Sequence, residues 1–388
     1  MMRWLPIVLL ILTSGPLPGA SSSSRWKINL EQSHGLQSFD REISAFWMIQ
    51  QGVLFLTPDR VLAYQVNRTQ EQVRLAPRDA SGGAGNFVLN IKVLSVQDGH
   101  LIKSLNLPTN GAVSSVIATR GGGFLARTGS ALYLYSADFA PVASRELPLK
   151  KSGRVESWQV RVSPSGAEVV LLHEEVLGEA EVLSDNTVLH DGEAKVEVEI
   201  LNSETLKPEK TFTLSHTLPF WAPADKVLLS SNPAHSYSDG QLGTLDFNGH
   251  WSPIRAEFDL AKSSCPYSLS AIDGQRVVLY GCEAFTVLST SGKRLFSRSD
   301  GRYVFRSVAA SGSYLAAACD HYRVGSDIPH SGWDLSTRAD HIEVYDLDRR
   351  SRLFSVPVHR ERVYYALSPQ GDLAVVDGPS LEMVQAGH

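Results

Sequence analysis

The segment from Asp320 to His341 carries the densest set of chemically competent side chains: Asp320, His321, Tyr322, Arg323, His330, Trp333, Asp334, Asp340 and His341. Imidazole and carboxylate groups can ligate a divalent metal. However, these histidines follow neither an H-x-H nor an H-E-x-x-H spacing, so spacing alone assigns no metal. Tyr, Trp and Arg are the residue types that anchor interfaces. The chemistry expected here is therefore binding. His235 and Tyr237 offer a smaller set of the same kind. Glu174, Glu175, Glu179 and Glu181 make another segment acidic, which reads as a solvated polar loop.

Three cysteines are present, Cys265, Cys282 and Cys319. The first two stand symmetrically about Asp273-Gly274, a two-residue hairpin signal. A strict two-residue loop would place them at a non-hydrogen-bonded pair, where a disulfide fits. Two half-buried free thiols are the alternative. Cys319, inside the apolar run Tyr314 to Cys319, is expected to be a buried free thiol. No cysteine pair has zinc-ligand spacing. There is no G-x-S-x-G elbow and no phosphate loop, since Gly121-Gly-Gly123 reads as a turn. No cofactor is indicated.

The bulk properties narrow the classes further. A net charge of -5 with no long basic run argues against nucleic acid, which needs clustered Lys and Arg. Arg3, the apolar run Trp4 to Leu12 and the small residues Gly19 to Ser24 read as an export signal over residues 1–24, with 25–388 as one domain. An uncleaved anchor is the alternative. About ten apolar residues are too few to cross a bilayer, and no later segment is long enough. The expected location is secreted or periplasmic.

The elements that must position these residues are strands. After the signal no long apolar pattern has helical period; short β-rich runs alternate with Gly, Pro, Asp and Ser, which calls for a repeat search. A strand–turn–strand unit recurs seven times, most clearly around Thr57-Pro-Asp59, Ser163-Pro-Ser-Gly166 and Ser368-Pro-Gln-Gly371. A second pair with a polar outer turn follows it six times, as at Gln97-Asp-Gly99 and Asn248-Gly249. The spacing is about forty residues where no insertion intervenes, the length of a four-stranded propeller blade. The missing seventh outer strand can come from Arg25 to Leu30, laid beside Leu381 to Gln385. That pairing closes a ring and removes exposed sheet edges. The fold expected is thus all-β, a seven-bladed β-propeller whose last blade is completed by an N-terminal strand. Residues 31 to 51 are left without an element.

The Ser-Pro-x-Gly turns and strands such as Val344-Tyr-Asp-Leu347 resemble the bacterial secreted WD40-like or YVTN-type propeller repeats. Gly99-His100 and Gly249-His250 fall at outer turns and Trp333-Asp334 in an insertion, so the eukaryotic-style WD40 signature is absent. The resemblance implies the scaffold and carries over no functional residue.

Ring geometry puts the connections between second and third strands on one face. Four of them are long, at residues 65 to 87, 173 to 195, 231 to 242 and 320 to 341. Connections of this length are commonly functional. Closure would also bring Glu156, His216, Arg302 and His359 onto the channel rim of that face. The function expected is a non-catalytic binding protein for a protein, peptide or glycan partner. The alternative is a propeller hydrolase or lyase at the channel mouth, with metal assistance.

Overall fold

The computed structural model describes residues 22–36, 51–68, 87–109, 113–128, 131–147, 156–176, 180–182, 188–190, 194–215, 221–231, 242–255, 268–281, 284–321, 339–359 and 363–386. Among them are seven four-stranded antiparallel sheets, each strand hydrogen-bonded to its neighbour in the order a, b, c, d from the channel outward. We number these blades 1 to 7 from Gln51; a two-stranded hairpin, Ala180–Val182 with Val188–His190, stands apart within blade 3's insertion.

The ring closes as expected. Blade 7 takes Val363–Leu367, Leu373–Asp377 and Ser380–Ala386 from the chain end, and its outer strand is Ser22–Asn29. Trp26 pairs with Met383 and Ile28 with Leu381. The Trp26 indole N–H donates to the Val96 carbonyl at 2.8 Å, tying this strand to the outer turn of blade 1. Part of the segment left without an element is a one-turn helix, Leu30–His34, capped by Asn29 and by Gly35 in the left-handed region. It buries Leu30 and Leu36 against blades 1 and 7.

Period-2 alternation explains the core. In blade 1, Val61 and Ala63 face the cluster shared with blade 7, while Leu62, Tyr64 and Val66 face that shared with blade 2. In blade 6, Leu315, Ala317 and Cys319 face blade 5, and Ala316 and Ala318 face blade 7. Second strands therefore read as unbroken apolar runs, because both faces are covered. Seven such clusters among the described residues occupy the seven blade–blade junctions, so no junction lacks an apolar seam.

The Ser-Pro-x-Gly turns work locally. Ser163 and Ser368 accept backbone N–H bonds from Glu168 at 3.2 Å and Asp372 at 3.0 Å through their hydroxyls. Gly166 and Gly371 sit at φ of 71° and 85°, which glycine adopts without steric cost.

Two local expectations change. The Asp273-Gly274 hairpin is not a two-residue loop: Ile272 and Arg276 close three residues, and neither central residue has the positive φ of a type I′ turn. The cause is the Asp273 carboxylate, which accepts the N–H groups of Gln275 at 2.8 Å and Arg276 at 2.7 Å. The exact symmetry assumed for a disulfide is thereby lost, and Cys265 and Cys282 lie outside the described residues. Glu174 and Glu175 are not in a solvated loop: strand b of blade 3 runs Glu168–Val176, pairs them with Val196 and Lys195, and buries Glu175.

Candidate functional site

The ends of strands b and the starts of strands c that flank the long connections share a face with the links between blades, whereas the a–b and c–d turns opposite are short. On the insertion-bearing face, the described residues of blade 6 bring together the largest share of the side chains singled out in sequence. Strand a, Tyr303–Ser311, strand b, Tyr314–His321, and strand c, His341–Asp346, place Tyr303 opposite His321 and Cys319 opposite His341. The three rings therefore meet at one end of the blade. Tyr303 lies 4.8 Å from His321 and 4.8 Å, edge-on, from His341.

Charged groups hold this cluster in place. Asp340 accepts the His321 backbone N–H at 2.6 Å and pairs with the His321 Nδ1. Although burial works against it, those bonds keep the Asp340 carboxyl below its ordinary range. The Arg302 guanidinium stands 5.4 Å from the Tyr303 ring and donates to both oxygens of Asp300, each at 3.0 Å. That fork brings the Asp300 carboxyl down to about 2. Behind the rings, Val358 N–H donates to the Asp340 carbonyl at 2.9 Å, and His359 N–H to Asp377 at 3.0 Å. Tyr303, His321, His341 and Arg302 thus form a fixed aromatic and cationic rim with His359 beside it. Burial depresses the His341 imidazole below its ordinary value, against the pull of Glu343 and Asp340, and so favours its neutral form.

Beneath the rim, Cys319, His341 and Glu343 offer one ligand atom each, all within 4.8 Å of one another. Sequence reasoning missed this convergence, because pairing of strands b and c creates it rather than any spacing. The set could meet a soft divalent ion. As arranged, however, Glu343 is engaged by other partners. Arg352 Nη1 donates to its Oε1 at 2.5 Å, and the Tyr345 hydroxyl donates to its Oε2. His341 Nε2 stands 3.9 Å from Oε1, beyond hydrogen-bonding range. Cys319 is fully buried, and desolvation with Glu343 nearby pushes its thiol well up. A cation entering here would displace the Arg352 or Tyr345 bond and face the guanidinium charge. The cluster reads as a buried polar network that braces strands b, c and d.

The other expected residues fall elsewhere. Glu156 opens strand a of blade 3, opposite Glu175, three blades removed from the rim of blade 6. His216, His235, Tyr237, Tyr322, Arg323, His330, Trp333 and Asp334 lie outside the described residues. Asp300 and Tyr303 were missed: the Ser-Asp-Gly before Tyr303 reads as turn composition, and only strand pairing shows what it faces.

No family model matches this chain, and no curated protein matches it. Solved structures do. The WD40 domain of Neurospora crassa Pan2 aligns at 9% identity over 96% of this chain and 98% of that one, with a TM-score of 0.53. Kluyveromyces marxianus Hsv2 aligns at 12% identity over 85% and 90%, with a TM-score of 0.46. At such identities the likeness shows the fold, a WD40-like β-propeller, and no more.

Proposed function

We propose that this chain is an exported, non-catalytic binding propeller with repeats of the bacterial secreted YVTN type. Its insertion-bearing face holds a protein, peptide or glycan partner. The observation that carries this reading is the asymmetry between faces: the strand ends flanking all four long b–c connections fall on one side, the side that also holds the Tyr303–His321–His341–Arg302 rim. Aromatic and Arg side chains held by their own bonds lose little freedom on binding, which favours affinity. Among the described residues no helix is long and apolar enough to cross a membrane.

Export is supported by the composition of residues 1–24. Processing ahead of Ser22 would leave the closing strand Ser22–Asn29 whole, and processing after Ser24 would leave the ladder from Trp26 onward. N-terminal sequencing of the mature chain from culture medium and from a periplasmic extract tests this. An unprocessed chain found only in the cytoplasm refutes export.

The binding reading is tested with the mature chain and a variant lacking residues 323 to 338, which spares the buried Ala339, as paired baits, against peptide and glycan arrays and against cell-surface extract. A saturable partner retained by the first and lost by the second, with unchanged melting temperature, is the expected result. Equal retention by both would show that this face is not the binding surface.

A further inference from the structure

The central channel holds a second feature, at the end away from the insertions. A cavity of about 460 Å3 runs along the inner strands of blades 3 to 6 and reaches their a–b turns at Pro164, Pro223 and Gly312. That volume is within the range of small-molecule sites, roughly 300–1,000 Å3. Its walls are mixed: Leu269, Ala271, Ile272 and Ala310 are apolar, and Ser270 and Ser311 supply hydroxyl groups.

Among the described residues, one charge lines it. Arg161, on strand a of blade 3, lies 5.7 Å from the Trp221 ring of blade 4. Trp221 is itself fixed, its indole N–H donating to Gln159 at 3.1 Å. Although Arg161 is exposed to the channel, partial desolvation by the surrounding blades draws its guanidinium below the ordinary value, and the group stays charged throughout the physiological range. Among the described residues no carboxylate pairs with it; the charges felt nearby are Tyr280, a neutral phenol that burial pushes upward, and a second cation, Arg127 of blade 2. By contrast, Arg25, Arg145, Arg276, Arg298, Arg302, Arg306, Arg349 and Arg352 all pair with carboxylates. The Arg161 side chain is exposed to the channel and so open to an entering anion, whose charge-assisted bond to the guanidinium is stronger than one between neutral groups.

We infer that the channel is a binding site for a small organic carboxylate: Arg161 takes the carboxylate in its planar fork, Trp221 stands beside that fork, and the inner strands of blades 5 and 6 border the ligand's body. A single fork matches the two oxygens of a singly charged carboxylate. This site is independent of the partner-binding face, so either can fail without the other.

The test is calorimetric and ligand-observed NMR titration of the full chain with hexanoate and 4-phenylbutyrate, their primary amides, and inorganic phosphate. The acids are expected to bind at least about tenfold more tightly than their amides, the worth of one charge-assisted bond. Arg161→Gln should erase that preference. Arg161→Lys should recover only part of it, since a point charge lacks the planar fork. Equal binding of acids and amides would overturn the inference. So would phosphate matching the acids, no saturable binding of either acid up to about 10 mM, or an Arg161→Gln variant that still prefers acids. If that variant fails to fold, the acid-against-amide comparison on the unaltered chain decides alone.

Discussion

Ring closure can be tested at one contact between the first and last parts of the molecule. Gly99 turns the outer hairpin of blade 1 at φ 74°, and a Cβ there would lie 2.9 Å from Trp26 Cδ2. Gly99→Ala therefore carries two penalties: about 1–2 kcal/mol for a left-handed non-glycine residue, and about 1–3 kcal/mol for overpacking against the indole. Trp26→Ala removes a half-buried ring and its bond to the Val96 carbonyl, about 3 kcal/mol in all. In the Trp26→Ala background the overpacking is gone and only the backbone strain remains. The second substitution should then cost about 1–2 kcal/mol in place of about 2–5. At about 2.1 cal/mol/K per residue, unfolding entropy near 0.8 kcal/mol/K converts the cost of Gly99→Ala to a loss of about 3–6 °C alone and a further loss of about 1–3 °C when added to Trp26→Ala. Scanning calorimetry of the four proteins measures the cycle. Identical losses for Gly99→Ala in both backgrounds would mean that Trp26 does not pack on the blade 1 turn in solution, and the closure of blade 7 by Ser22–Asn29 would fall with it.

Three further outcomes are expected. Glu343→Ala strands Arg352 and the Tyr345 hydroxyl and should lower stability by about 2–4 kcal/mol in urea titration; a loss under about 0.5 kcal/mol would show the network to be dispensable. His341 takes up its proton at lower pH when folded than the ordinary 6.5 of the unfolded imidazole. Its contribution is thus whole above that value and declines as pH falls from it toward the folded value. His341→Phe should flatten the pH dependence of melting temperature just below 6.5 relative to the unaltered chain, and parallel curves would contradict the depressed imidazole. For the cysteines, alkylation of the exported, denatured chain without reductant should label Cys319 alone if Cys265 and Cys282 are bridged, and labelling of all three would exclude the bridge.

Much of the scaffold was legible in the residues themselves. Turn chemistry repeats at the Ser-Pro-x-Gly sites because a serine hydroxyl and a left-handed glycine are local requirements, met within a few positions of chain. Blade count and the shared last blade followed from counting turns, since one outer turn too few requires a strand from elsewhere. The Asp273 loop escaped because two readings of Asp-Gly compete locally, and the carboxylate's bonds to two following N–H groups favoured the wider one. His321 and His341 could be nominated from composition. Their meeting with Tyr303 could not, since it depends on the registers of two strand pairs.

The sequence by itself determined the periodic, short-range properties of this protein: strand alternation, turn types and the order of blades, all of which act between residues close along the chain. Only the tertiary structure decided what each charged group faces. Glu343 became a braced buried acid, and Arg161 a channel-wall cation with no carboxylate partner among the described residues, because ring closure sets the neighbours of each strand. Electrostatic environment depends on distance through space and on excluded water, and neither is written in sequence separation.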